Sequence, residues 1–305
     1  MLYVLENGDP QSASDPSSVP TDRQRIEVTG IDRLREMQGL DMVRGLLEAT
    51  YETSSSCQVE LARDGLYGVL VIPDENDLLG TKIHVAFYLT ANRLVMVDDT
   101  EFTCNTLDRL ADLPLPPIED VSECLAAFID FTLDDDMNFL QDYERRMEEL
   151  ESQILADPDS TTNTELLNLR RELYAILMYY EALGDMVEYI EDSPEAVMPN
   201  QSRLRLKAVA HRADRLESHV QSLKEYSLNL RELYQSQIDL RTNRTMQILT
   251  IVTTIFMPLT VIGGWFGMNM IIPFTNSPAL FGVVCAAAVL IVVVEVVFFK
   301  FKKWL

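Results

Sequence analysis

The chain changes hydrophobic period twice. Short apolar or alternating runs come first: Gln58 to Leu61, Tyr67 to Ile72, Ile83 to Leu89 and Arg93 to Val97. They read as strands. Segments 32–48 and 105–112 read as helices, the first with apolar positions at Leu34, Met37, Leu40, Val43 and Leu47. Residues 7–22, rich in Asp, Pro and Ser, read as a loop. A mixed α/β domain over 1–130 is therefore expected. Beyond it the period becomes helical. Leu140, Tyr143, Met147, Leu150 and Ile154 form one stripe. Leu166, Leu169, Leu173, Ile176, Tyr180, Leu183 and Val187 answer it across the turn ADPDSTTNTE. Two such helices with a short connection predict an antiparallel hairpin over 131–200.

Pro194 and Pro199 break the pattern, and a third helix begins near Ser202. Val209, Leu216, Leu223 and Leu230 recur every seven residues, with Ala213, Val220 and Tyr234 four after the first, second and fourth of them. Such a heptad asks for a helical partner. No glycine or proline interrupts 201–257, so a stalk over 201–244 can run unbroken into the apolar segment beyond it. At ~1.5 Å per residue, some 60 residues would reach ~90 Å.

Thr245 to Phe266 carries no charge, and Leu280 to Phe299 carries only Glu295. Each is long enough for a ~30 Å hydrocarbon core, which predicts membrane spans over 245–266 and 280–299. The short uncharged segment between them, 267–279, makes the spans a hairpin with an external loop. Arg241 and Arg244 precede the first span, and Lys300, Lys302 and Lys303 follow the second in a basic tail, 300–305. The positive-inside rule puts both flanks in the cytoplasm. Glu295 lies five residues before Lys300 and reads as an acid that snorkels or pairs at the inner interface.

Charge sharpens the division. Of 25 Lys and Arg, five lie from Arg241 onward, but only one of 48 Asp and Glu does, leaving about −27 on residues 1–240. That body repels nucleic acid and attracts cations, most of all where several copies surround one axis. Cys57, Cys104, Cys124 and Cys285 are widely spaced and the histidines number three, a poor basis for a zinc or redox site. The first twenty residues lack the basic and apolar regions of a secretory signal. No P-loop, nucleophile elbow or metal-binding histidine motif appears, so an enzyme is not expected, and no organic cofactor either.

The first span is uneven. From Asn243, steps of three and four give Met246, Thr250, Thr253, Met257, Thr260 and Gly264. The other faces hold Ile248, Ile251, Val252, Ile255, Leu259 and Ile262. Small hydroxyl residues on one face can line a narrow wet path, with the methionines as apolar constrictions. They can equally let helices approach closely. Two spans cannot enclose a path, so a pore requires an oligomer.

Gly267-Met268-Asn269 follows at the external end of this span. The tripeptide resembles the signature of the CorA family of magnesium transporters. The run from Thr254 to Asn269, TIFMPLTVIGGWFGMN, resembles that family's first span, and YQSQID at 234–239 and KKWL at 302–305 are similar to it too. So is the order of parts: acidic α/β domain, helical hairpin, stalk helix, two spans. The resemblance implies an α+β membrane protein whose stalk helix continues into its first span, assembled as a funnel-shaped homopentamer in the cell (inner) membrane with both termini cytoplasmic. It implies passage of Mg²⁺, with Co²⁺ or Ni²⁺, down the electrochemical gradient into the cytoplasm. A potential of 100 mV alone moves a divalent ion by ~4.6 kcal/mol.

Carried over residue by residue, Gly267, Met268 and Asn269 match the selectivity filter. Asn243 resembles the polar cytoplasmic entrance, and Met246, Leu249 and Met257 the hydrophobic constriction. Thr253, Thr260 and Gly264 match lining positions. Leu249 and Thr250 compete for one turn, and spacing does not choose between them. The chain also departs from the family. Its external loop, IIPFTNSP, has no acid, Phe266 stands where tyrosine usually precedes the signature, and Ala208 and His211 occupy stalk positions where regulatory acids can occur. Asp98, Asp99 and Glu101 are a candidate regulatory Mg²⁺ site, whereas Asp134, Asp135 and Asp136 more simply complement a helix N-terminus. Two other readings stand beside this one: a zinc transporter of the same superfamily, against which Met268 argues, and a membrane-anchored coiled-coil scaffold.

Overall fold

Continuous apolar runs suit strands covered on both faces, and the computed structural model has such strands at its centre. It describes residues 1–6, 9–12, 24–37, 40–113, 117–157, 163–268, 278–302 and 304. The chain divides into two compact units, Met1–Gln153 with Asp159–Arg231, and Ile154–Pro158 with Glu232–Leu305.

In the first unit, seven strands form one sheet: β1 (Leu2–Glu6), β2 (Asp9–Ser12), β3 (Arg25–Thr29), β4 (Gln58–Leu61), β5 (Leu66–Asp74), β6 (Asp77–Leu89) and β7 (Arg93–Val97). Their order is β2-β1-β3-β7-β6-β5-β4. Only β3 and β7 run parallel, with Ile26 opposite Leu94 and Val28 opposite Met96. Successive side chains alternate faces. Tyr67, Val69, Val71, Ala86, Tyr88, Val95 and Val97 form one core with Leu34 of α1 (Ile31–Leu34) and Leu47 of α2 (Arg44–Thr53). The intervening Leu66, Leu70, Phe87, Leu89, Leu94 and Met96 are equally buried, so the second face is covered too. After β7 the chain continues as α3 (Phe102–Asp112) and α4 (Val121–Thr132).

The strands expected from 58–61, 67–72, 83–89 and 93–97 are present, some of them longer. The helix expected over 32–48 is instead two, α1 and α2, and Arg44 Nη2 donates to Met37 O at 2.6 Å across the turn between them. The expected loop over 7–22 contains β2. That strand is an edge held by main-chain pairing with β1. Proline is tolerated on an edge, so DPQS carries no alternation to betray it.

The hairpin is α5 (Asp136–Ala156) and α6 (Asn163–Glu191), followed by α7 (Asn200–Phe266), one helix of 67 residues. Leu140, Tyr143, Met147 and Leu150 are buried, as are Leu166, Leu169, Leu173, Ile176, Tyr180, Leu183 and Val187. Tyr143 donates its hydroxyl to Glu172 at 2.8 Å, and Arg146 reaches the same carboxylate at 3.0 Å. The heptad of α7 is buried from Val209 through Leu230, whereas Tyr234 is only half-buried. Arg203 secures the end of α6 by donating to Glu191 O at 2.7 Å and also to Ser193 O and Met198 O. Such orphan carbonyls need a donor.

Asp136 opens α5 in a cavity with Tyr179, Tyr180, Phe139 and Glu75. Burial raises its carboxyl to about 6, and the charges of Glu75 and Asp135 add to the effect. A carboxyl that binds its proton more tightly when folded loses stabilisation as pH rises from its unfolded value through its folded one. The melting temperature should therefore decline between pH ~4 and ~6. Asp136→Asn should flatten that decline and raise stability at pH 7, read by melting curves of the full chain in detergent across this range.

Candidate functional site

The second unit holds the apolar part of α7 and α8 (Pro278–Phe301). Both helices are long and apolar enough to cross a membrane. Ile251 and Phe299, one from each helix, are the buried apolar side chains of these segments among the described residues. Ile255, Leu259 and Ile262 continue the half-buried line on α7, and Val284, Ala288, Ile291 and Glu295 form its counterpart on α8. A spacing of three and four residues keeps each line on one face. Ile248 and Val252, grouped with these residues by composition, stand exposed. Gln247, which no pattern along the chain singles out, donates to Trp304 O at 3.3 Å, and Trp304 stacks on Phe299. Arg241 pairs with Asp157 at 2.7 Å.

Every described member of the stripe lies off that seam. Asn243, Met246, Leu249, Thr250, Thr253, Met257, Thr260, Gly264, Gly267 and Met268 are all exposed or half-exposed in the single chain. The threonines have a common arrangement. Thr250 Oγ1 donates to Met246 O at 2.7 Å, Thr253 to Leu249 O at 2.9 Å, and Thr260 to Phe256 O at 2.8 Å. A hydroxyl has one proton and two lone pairs. With the proton spent on the preceding turn, the oxygen offers only acceptor capacity outward. Pro258 lies inside the helix and has no N–H to return to Thr254 O, a lapse that membrane helices tolerate. The helix ends at the signature, where Gly267 N donates to Gly263 O at 2.9 Å. A Cβ on Gly267 would approach that same oxygen to 3.0 Å, so the close last turn favours glycine. Asn269 and the segment through 277 lie outside the described residues.

Glu295 does not pair with Lys300 among the described residues. It is half-buried on the α8 line, and its Oε2 is buried with no hydrogen-bond partner.

Two of the acids expected as an ion sensor hold the local fold together. Asp98 is buried. Its Oδ1 accepts from Thr100 N and Thr100 Oγ1, both at 2.6 Å, and its Oδ2 accepts from Thr103 N at 2.7 Å in the first turn of α3. Asp99 Oδ1 accepts from Ile31 N at 3.0 Å, the first residue of α1, and Oδ2 accepts from Tyr51 at 3.2 Å. Burial, then the Asp99 charge, pushes the Tyr51 phenol up to about 12. Glu101 sits at φ 62°, in the left-handed region. The two aspartates cap helices, and among the described residues no three acids, cysteines or histidines gather to hold a metal. Ala208 and His211 are exposed on α7, where His211 approaches Asp214 at 4.0 Å.

The profile of the family described as CorA-like Mg²⁺ transporter protein matches residues 27–303. The cobalt/magnesium transport protein CorA of Thermotoga maritima is 29% identical over 186 residues, 59% of this chain and 52% of that protein. Its counterpart in Methanocaldococcus jannaschii is 27% identical over 167 residues, 54% of this chain and 53% of that one. The chain thus spans about half the length of the curated relatives it matches. The solved structure of the CorA magnesium transporter from M. jannaschii superposes with a TM-score of 0.85 at 20% identity, covering 100% of this chain and 99% of that one, which establishes the shared fold.

Asp98→Ala strands three donors at the β7–α3 turn and should cost about 1–3 kcal/mol. The expected outcome is a lower melting temperature, with Mg²⁺ binding to the folded chain unchanged in calorimetry.

Proposed function

The chain belongs to the CorA-like Mg²⁺ transporter family, and we propose that it conducts Mg²⁺, with Co²⁺ as a second cargo, down the electrochemical gradient into the cytoplasm. The observation that carries this reading is the row of exposed threonine oxygens on α7, each with its proton already given to the backbone. Mg²⁺ holds its waters at ~2.0–2.1 Å and dehydrates reluctantly. Water bound to a cation turns its hydrogens outward, so a path for the hydrated ion needs acceptors, and these oxygens supply them. Met246, Leu249 and Met257 supply apolar constrictions that can close by dewetting.

In this proposal the exposed stripe faces the axis of a homopentamer in the inner membrane, with both termini cytoplasmic as the basic flanks require. Asn269, with Gly267 carbonyls beside it, forms the outer ring. Its amide oxygens hydrogen-bond the ion's waters without replacing them. Neutral acceptors hold the ion weakly enough to release it. With Asp98 and Asp99 committed to capping, the proposal includes no regulatory metal at that turn.

Two measurements test it. Asn269→Ala should abolish Mg²⁺ uptake into proteoliposomes by the purified chain while leaving the oligomer's mass unchanged. Uptake of Zn²⁺ but not Mg²⁺ by the unaltered protein, or full uptake by the variant, would remove the proposal in favour of a zinc carrier or a scaffold. Thr253→Val with Thr260→Val keeps the shape and deletes two acceptors, and should slow Mg²⁺ uptake at least several-fold at unchanged assembly.

A further inference from the structure

The first unit contains a local reversal of its own charge. Arg170 and Arg171 on α6 and Lys224 on α7 line one open cavity of about 590 Å³ with Leu79, Leu167, Tyr174 and Ala175. Elsewhere in this unit some basic side chains are taken up by a carboxylate, as Arg146 is by Glu172 and Arg212 by Asp130. Among the described residues, these three side chains have no ion pair and no hydrogen bond.

The cavity also gathers exposed apolar surface. Leu167, Arg170, Arg171 and Tyr174 follow one another at i, i+3, i+4 and i+7, so they share one face of α6. That face is distinct from the one buried through Leu166, Leu169, Leu173 and Ile176. Tyr174 is 57% exposed and Leu79 on β6 is 53% exposed. Helix packing therefore does not explain them.

We propose that this cavity binds a nucleoside di- or triphosphate, its phosphates on Arg170, Arg171 and Lys224 and its base on the ring of Tyr174. Guanidinium forks match phosphate oxygens in paired hydrogen bonds. Three positive charges suit a ligand with more than one phosphate. A π-face stacks on any base, and Leu79 and Leu167 offer the ring edge an apolar floor. The volume lies within the range of small-molecule sites. An acidic peptide would use the three charges but would have no particular call on the one exposed ring beside them. The site concerns ligand binding and stands whether or not the chain conducts Mg²⁺.

The test is calorimetric titration of the full chain in detergent with ATP, alongside tripolyphosphate, adenosine and phosphatidylglycerol vesicles. ATP is expected to bind, and tripolyphosphate and adenosine each to bind more weakly. The double substitution Arg170→Gln with Arg171→Gln should weaken ATP at least tenfold. Tyr174→Ala should weaken ATP about fivefold or more while leaving tripolyphosphate unchanged, since stacking on an aromatic ring is sensitive to its removal. All three positions lie at the surface, so the variants should melt like the parent chain. The proposal is overturned by no ATP binding at millimolar concentration, or by variants that bind ATP as the parent does. It is overturned equally if only the vesicles bind, or if the double substitution changes the oligomer's mass and not its affinity for ATP, which would make the patch a lipid or subunit contact.

Discussion

The hydroxyl protons of Thr250, Thr253 and Thr260 go to carbonyl oxygens of the turn before them, and most of the functional reading depends on this constraint. In hydrocarbon a polar group without a partner is costly. A helix satisfies its own N–H and C=O groups, and a threonine on it can satisfy its own donor. What it cannot satisfy is the outward lone pair. A face of such residues is tolerable against lipid and useful against water. On α7 that face is separate from the seam with α8, where Ile251 and Phe299 are buried. One helix thereby carries two surfaces of different chemistry, the seam with its own second span and the exposed stripe.

The acids of the first unit carry a structural role that their residue types alone do not announce. Asp98, Asp99 and Glu101 are adjacent, follow a strand and belong to a body of strong negative charge, and so they resemble a cation site. The oxygens of the two aspartates each accept hydrogen bonds within the fold. Asp98 fixes the first turn of α3, and Asp99 fixes the start of α1 and the hydroxyl of Tyr51. Even the backbone is shaped around them, for a Cβ on Gly30 would meet Asp99 Oδ1 at 2.7 Å. A carboxylate that accepts two or three N–H and O–H donors is held in one orientation by them.

How much of the fold was legible along the chain depended on whether the signal was periodic. The strands in 58–97, the hairpin stripes and the heptad of α7 were legible because apolar residues recur at the period of the element. β1 to β3 were not: β3 does alternate, with Ile26 and Val28 buried between polar neighbours, but five residues give the period little length and its partner β7 lies far along the chain. The stripe of the first span was legible as a pattern, but its hydroxyl geometry was not, because the direction of a threonine proton is set by rotamer and helix. The seam partners Gln247 and Trp304 were hidden by their separation of 57 residues. The basic cavity was hidden in the same way. Arg170 and Lys224 lie on different helices, and no spacing rule joins them.

Magnitudes also explain why a path of this kind would be lined by neutral groups. Thr245 to Phe266 contains no acid. At 4 Å and an effective dielectric near 20, two unit charges interact by about 4 kcal/mol. A divalent ion beside one carboxylate would gain roughly twice that, and a ring of carboxylates several times more. The membrane potential offers ~4.6 kcal/mol per 100 mV to the same ion. An acidic ring at the narrowest point would therefore hold the ion more strongly than the gradient could pull it away. In the proposed path, threonine and asparagine oxygens would contact the waters rather than the metal, each contributing an ordinary hydrogen bond of about 1 kcal/mol net. On the proposed reading, passage depends on that weakness: several such contacts can be made at one level of the path and broken at the next without any step exceeding the drive.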